Sequence, residues 1–192
     1  MFQAVREAEL LFGEILLKNE SIIWAGRPKQ GFALKSSDKY LIPFSIFWCG
    51  FIFIWEYITL YVLEGATILS FFGIPFILIG LYLLIGRYFM DASIRKNTYY
   101  ALSDNRVFIR TGVWNISTNI YRFKDLSQIQ FTEKADGSGN ILIRPVGITF
   151  PQEGKLNRSA LPQGAIQFEL IDSVKKVFLL LQEKIEREAS TK

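Results

Sequence analysis

Any chemistry in this chain must be run by carboxylates, hydroxyls and amines, because its 192 residues contain no His and one Cys. Without an imidazole, Ser-His-Asp triads, Cys-His dyads and His-containing zinc sites are excluded. A single Cys excludes a disulfide framework and a thiolate metal cluster. Cys49 itself lies in an apolar run and reads as an inert small hydrophobe. Asp91, Asp104, Asp125 and Asp136 occupy turn and strand-end positions, where Asp bonds local backbone, and no spacing makes any two an acid/base couple. A Ser-Lys dyad is chemically open, but no local pattern supports one. Gly137-Ser138-Gly139 lacks the following helix and Lys-Ser/Thr of a phosphate-cradling loop, and reads as a hairpin turn. The expectation is a protein without catalytic activity, metal or cofactor.

Glu56 is set apart by its surroundings. Six Lys and Arg precede residue 40 and sixteen follow residue 86, with none between, so 47 consecutive residues carry no cation. The only anions there are Glu56 and Glu64. A hydrocarbon core of about 30 Å needs about 20 helical residues. The stretches 40–63 and 66–85 are both long enough, and Glu64-Gly65-Ala66 connects them into an antiparallel hairpin. A soluble core hairpin is the competing reading, but core helices are amphipathic and seldom run so far without charge. An ionisable residue inside a span points by default to an ion or proton relay. Glu56, however, lies about 24 Å along the first helix from Tyr40 by helical rise. That depth favours a carboxylate reaching out into the far interface. Gly73, Gly80 and Gly86 around Pro75 read as small residues that let two helices pack, in preference to a broken transporter helix.

The flanking cations set an orientation. Lys35 and Lys39 precede the first span, and Arg87, Arg95 and Lys96 follow the second, while the connection has none. The positive-inside rule then puts both termini in the cytoplasm. Anionic headgroups should attract these five cations by about 1 kcal/mol each near the surface.

The remaining elements have to hold a domain against that surface. Val5, Ala8, Phe12, Ile15 and Leu16 form one face of an N-terminal amphipathic helix expected to end near Asn19, before Pro28. Its excess of acids argues for docking on the protein's own domain over anionic lipid. From residue 87 the period changes to two, with strands expected at 88–94, 98–102, 106–110, 119–123, 128–132, 141–144 and 166–170. Ser103-Asp104-Asn105 and Asp136-Gly137-Ser138-Gly139 are hairpin turns. Asp172-Ser173 starts a terminal helix whose stripe is Val174, Val177, Phe178, Leu181 and Ile185. The segment 145–163 reads as an inserted loop. The expected division is an N-terminal cytoplasmic segment 1–39, a transmembrane hairpin 40–86 and a cytoplasmic domain 87–188.

Several strings occur in order along the chain: Trp24-Ala25-Gly26-Arg27-Pro28, Gly73-Ile74-Pro75-Phe76, Gly86-Arg87-Tyr88-Phe89, Tyr100 through Val107, and Asp136-Gly137-Ser138-Gly139. With the hairpin between them, they resemble the bacterial pleckstrin-homology-like (PH-like) membrane proteins, in which a two-helix hairpin precedes a PH-like domain. The resemblance implies an α+β membrane protein: an N-terminal amphipathic helix, a transmembrane hairpin, and a seven-stranded antiparallel PH-like barrel or sandwich closed by a C-terminal helix. It also implies a binding or scaffolding role at the bacterial inner membrane. Phosphoinositide recognition is not expected, because Lys96 is followed only by the separated Arg106 and Arg110 where lipid-binding PH domains carry a tight basic cluster. Nucleic acid is not expected either, since the sixteen bases from residue 87 onward are dispersed among eleven acids. The partners expected are the lipid bilayer and either another membrane protein or further copies of this chain. The competing function is a small oligomeric channel or transporter subunit that uses Glu56.

Overall fold

The structure, a computed structural model, describes residues 2–31, 33, 38–62, 67–147 and 165–190. Its elements run in order as α1 (Phe2–Phe12), β1 (Ile22–Gly26), α2 (Asp38–Tyr57), α3 (Thr67–Leu81), α4 (Arg87–Lys96), β2 (Tyr99–Ser103), β3 (Arg106–Thr111), β4 (Ser117–Arg122), β5 (Leu126–Glu133), β6 (Gly139–Pro145), β7 (Ile166–Ile171) and α5 (Val174–Ser190). Two compact units emerge: Met1–Gly31 with Ser93–Lys192, and Phe32–Ala92. The strand-bearing unit is thus discontinuous, where a continuous domain 87–188 was expected.

In the second unit, π-helical turns at Ile58–Val62 and Tyr82–Gly86 follow α2 and α3. The segments Asp38–Tyr61 and Phe71–Lys96 are each long and apolar enough to cross a membrane. Phe47 and Phe53 are each 73% exposed, so the hairpin does not bury its own apolar surface. The connection Glu64-Gly65-Ala66 lies outside the described residues.

Residues 88–94, expected as a strand, are helical within α4. No proline interrupts the chain between Leu81 and Asn97, and Gly86 is accommodated in the turn against Tyr82. The helix therefore propagates to Lys96 and places Arg95 and Lys96 in its last turn, where cations suit the helix dipole.

The first strand comes instead from before the hairpin. Ile22–Gly26 pairs antiparallel with β2, matching Gly26 to Tyr100 and Ile22 to Ser103. The four-stranded sheet has the order β1-β2-β3-β4, and a second sheet has the order β5-β6-β7. All the pairings are antiparallel. The expected barrel or sandwich is therefore realised as two sheets of four and three strands. One core joins them: Tyr100, Leu102 and Val107 from the first, Ile141, Ile143, Ile166 and Phe168 from the second, and Val174, Val177 and Leu181 from α5. The rings of Tyr100 and Phe168 stack with centroids 4.5 Å apart. The expected stripe of α5 is the one that packs, with Phe178 and Ile185 at its border. Its first amide, at Val174, donates to the Gly137 carbonyl at 3.2 Å, so the hairpin turn between β5 and β6 satisfies one of the helix's open donors.

The outer face of β2 and β3 is covered by α1. Ala8 and Phe12 pack on Ile22, Ala25, Ala101 and Phe108, and the Phe12 and Phe108 rings lie 5.3 Å apart. The N-terminal helix thus docks on the strands, as its acidic face led us to expect. It ends earlier than expected, at Phe12, and a short 3-10 turn begins at Gly13.

Candidate functional site

Of the five expected headgroup cations, the four that the structure describes separate into two kinds. Lys39 is exposed, with its ammonium 4.8 Å from the Tyr40 ring centroid, and Lys96 is also exposed. Both remain accessible to an anionic surface. Arg87 and Arg95 are turned inward. Arg87 pairs with Asp38 at 3.2 Å and donates to the Tyr88 hydroxyl at 2.7 Å, which ties the start of α2 to the start of α4. Arg95, only 3% exposed, donates to the Gly31 carbonyl at 2.6 Å, while its own carbonyl accepts from Gln30 at 3.2 Å. These contacts clasp the outgoing chain to the returning helix inside the strand-bearing unit. Lys35 lies outside the described residues.

Glu56 faces α3, beside Gly73. Its Oε1 is buried and has no hydrogen-bond partner among the described residues. A Cβ on Gly73 would lie 1.5 Å from that oxygen, so the missing side chain at Gly73 creates the space it fills. One helical repeat further on, Gly80 meets Cys49 Sγ and Trp48 in the same way, and Trp48 donates to the Phe76 carbonyl at 3.3 Å. The small residues around Pro75 therefore serve helix packing, and α3 runs unbroken through the proline. Among the described residues, Glu56 is the sole carboxylate lining an apolar groove of about 720 Å³ in this unit, beside Cys49, Ile52, Ile74 and Ile77.

The polar cluster that sequence reasoning missed involves Glu20, Ser103 and Arg106. The Glu20 side chain is 1% exposed and pairs with Arg106, whose Nε donates to Glu20 Oε1 at 2.9 Å and whose Nη2 donates to the Ile15 carbonyl at 3.0 Å. Ser103 Oγ donates to the same Glu20 oxygen at 2.5 Å. Beside it, Ser21 Oγ donates to Asp104 at 2.6 Å, and Lys184 of α5 lies 3.6 Å from Asp104. The signal was present in the string ending Asp104-Asn105-Arg106, but its partners lie more than eighty residues upstream. The Arg106 hydrogen bond, aided by Leu17 and Ser103, holds the Glu20 carboxyl down at about 2, against its ordinary 4.5.

Because the folded-state value is depressed, this pair contributes its full stability above about pH 4.5 and loses it as pH falls toward 2. In an acid titration followed by thermal melting, a Glu20→Gln variant should be less stable than the parent at neutral pH and should show a flatter dependence between those limits. Parallel curves for the two proteins would refute the assignment.

The four aspartates noted at the outset do not converge. Asp125 pairs with Arg122 at 3.3 Å, Asp136 with Lys29 at 2.7 Å, and Asp104 with Lys184, while Asp91 lies on α4. No cluster of metal-ligating side chains occurs among the described residues. The strand-bearing unit instead offers a surface. Among the described residues, strand β4 is hydrogen-bonded to β3 alone, and its residues are exposed or half-buried along their whole length. An edge strand of this kind presents unpaired backbone groups to a partner strand.

Among protein families, the one described as Bacterial PH domain matches residues 49–183, beginning within α2 and ending within α5. Comparison with curated proteins returns no match, and comparison with solved structures returns none.

Proposed function

The chain belongs to the bacterial PH domain family, and we propose that it is a membrane-anchored interaction or scaffolding module at the cytoplasmic face of the bacterial inner membrane. The observation that carries this reading is the insertion of the apolar hairpin between two neighbouring strands. Residues Gly26 and Tyr100 are paired in one sheet, yet the two membrane-length helices lie between them in sequence. Such a domain is tied to the bilayer through two chain segments, which restricts its rotation as well as its distance. Confinement of this kind raises the effective concentration of weak contacts with another membrane protein or with further copies of the chain. PH-like domains generally bind without catalysing, and the dispersed aspartates support that use here.

The orientation follows from Lys39 and Lys96, the exposed cations at the base of the hairpin. The β4 edge, paired only with β3 among the described residues, supports docking there, with a partner adding a strand through backbone hydrogen bonds.

Two measurements on the full chain test the proposal together. It should stay with membranes through alkaline carbonate extraction, and a reporter fused after Lys192 should behave as cytoplasmic. A photo-crosslinking residue at Asn119, exposed on β4, should capture a defined membrane partner or a second copy in native membranes, whereas one at Asn105 should not. A periplasmic reporter, or equal crosslinking from both positions, counts against the reading.

A further inference from the structure

We infer that the turn between β3 and β4, residues 112–116, is a second membrane contact: an apolar tip that enters the lipid interface and fixes the tilt of the strand-bearing unit. This rests on the hairpin's crossing the bilayer. The tip carries Trp114, 87% exposed, and Ile116, 61% exposed, so two large apolar side chains stand in solvent at one turn. Its backbone is held in shape: Gly112 has φ +136°, and a Cβ there would lie 1.9 Å from the Asn115 carbonyl oxygen. The exposure therefore belongs to a sterically constrained turn that presents its side chains outward.

The registers of the four-stranded sheet say at which end of the sheet that turn lies. Gly26 lies opposite Tyr100, Tyr99 opposite Arg110, and Thr111 opposite Ser117. The end of β1, the start of β2 and the β3–β4 turn thus share one end of the sheet. From that end the chain leaves toward the apolar helices, and to it the chain returns through α4. The hydroxyls of Thr98 and Thr111, 2.9 Å apart, link the return point to the base of the turn. Exposed Lys96 stands just before β2 at the same end. A Trp at the same end of the sheet as an exposed cation that ends α4 matches the chemistry of the headgroup region, which favours an amphipathic ring. The opposite end of the sheet, at Ser103-Asp104-Asn105, carries polar residues. The two ends therefore differ as a membrane-facing and a water-facing end should.

The test first keeps Trp114 in place and then removes it. In a full-length Cys49→Ser background, an environment-sensitive fluorophore is attached at Asn115→Cys or, at the other end of the sheet, at Asn105→Cys. The proteins are reconstituted in vesicles of phosphatidylethanolamine and phosphatidylglycerol that carry a headgroup-depth nitroxide lipid. The label at 115 should be blue-shifted and quenched by the nitroxide, the label at 105 should be neither, and adding Trp114→Ser should reduce the quenching at 115. If the chain resists carbonate extraction but the label at 115 remains as open to aqueous iodide as that at 105, the inference is overturned and the anchoring survives. Release by carbonate overturns both. Disulfide formation between two unlabelled Asn115→Cys chains, with shielding of the label already present in detergent, would identify a second copy as the occupant and overturn the lipid contact.

Discussion

A chain that starts at Arg87, the boundary expected from hydropathy and strand periodicity, should fail to form its four-stranded sheet. Without residues 1–31 the sheet loses β1 from the edge of β2, and Ala101 and Phe108 lose the cover of Ala8 and Phe12. Truncating one fully buried Phe costs about 3 to 5 kcal/mol. Arg106, with its side chain 13% exposed, is left facing the empty position of Glu20, and removing one member of a buried pair costs about 3 to 5 kcal/mol more. Together these losses rival the whole stability of a typical domain, about 5 to 15 kcal/mol. The truncated chain should show no cooperative melt and no slowly exchanging amides in β2 and β3. Joining residues 1–31 directly to 93–192 through a short Gly/Ser linker should restore both, because the strands on either side of the deletion are already neighbours. A cooperative melt from the Arg87 chain would show that β1 is dispensable.

The reason this boundary was hard to read is instructive. The hairpin, the turns at Asp104 and Asp136, and the stripe of α5 are local patterns, and each was legible because one segment carries its whole signal. Strand β1 carries almost none. It is five residues long, its burial does not alternate, and Ile22 through Gly26 reads as a tail between an amphipathic helix and Pro28. Only pairing with β2, across the full length of the hairpin, makes it a strand. Residues 88–94 failed in the opposite way. Tyr88, Phe89 and Ile94 suit a strand by propensity, but a helix already running from α3 meets no breaker before Asn97. Among the described residues the strand count is seven, as expected, because one misread strand stood in for one missed. The candidate surface cations divided for a similar reason. Composition marks Arg87 and Arg95 as membrane-flanking, but only the fold brings Asp38 and the Gly31 carbonyl to them.

The Glu56–Gly73 contact supplies the second large effect. At Gly73 an added Cβ would meet Glu56 Oε1 at 1.5 Å and Cδ at 2.7 Å, so even Gly73→Ala must displace the carboxylate from its buried position. The obstructing atoms are the far end of a flexible side chain that can swing aside, so the cost falls at the low end for overpacking, about 1 kcal/mol. Gly73→Leu goes further, because no rotation of Glu56 clears a branched side chain, and α2 and α3 must part. In micelles, Gly73→Leu should lower the hairpin's unfolding midpoint more than Gly73→Ala, whereas Gly50→Ala, with nothing within 4 Å of the new Cβ, should leave it nearly unchanged. The decisive comparison is a double-mutant cycle. In a Glu56→Ala background the obstruction is gone, so Gly73→Ala should cost less than in the parent, with a coupling of about 1 kcal/mol or more between the two sites. Glu56→Ala alone should be tolerated, since it removes a buried oxygen without a hydrogen-bond partner among the described residues. If the two substitutions are additive, the carboxylate does not rest on Gly73, and Glu56 is free to face the interface as its depth along the helix alone would predict.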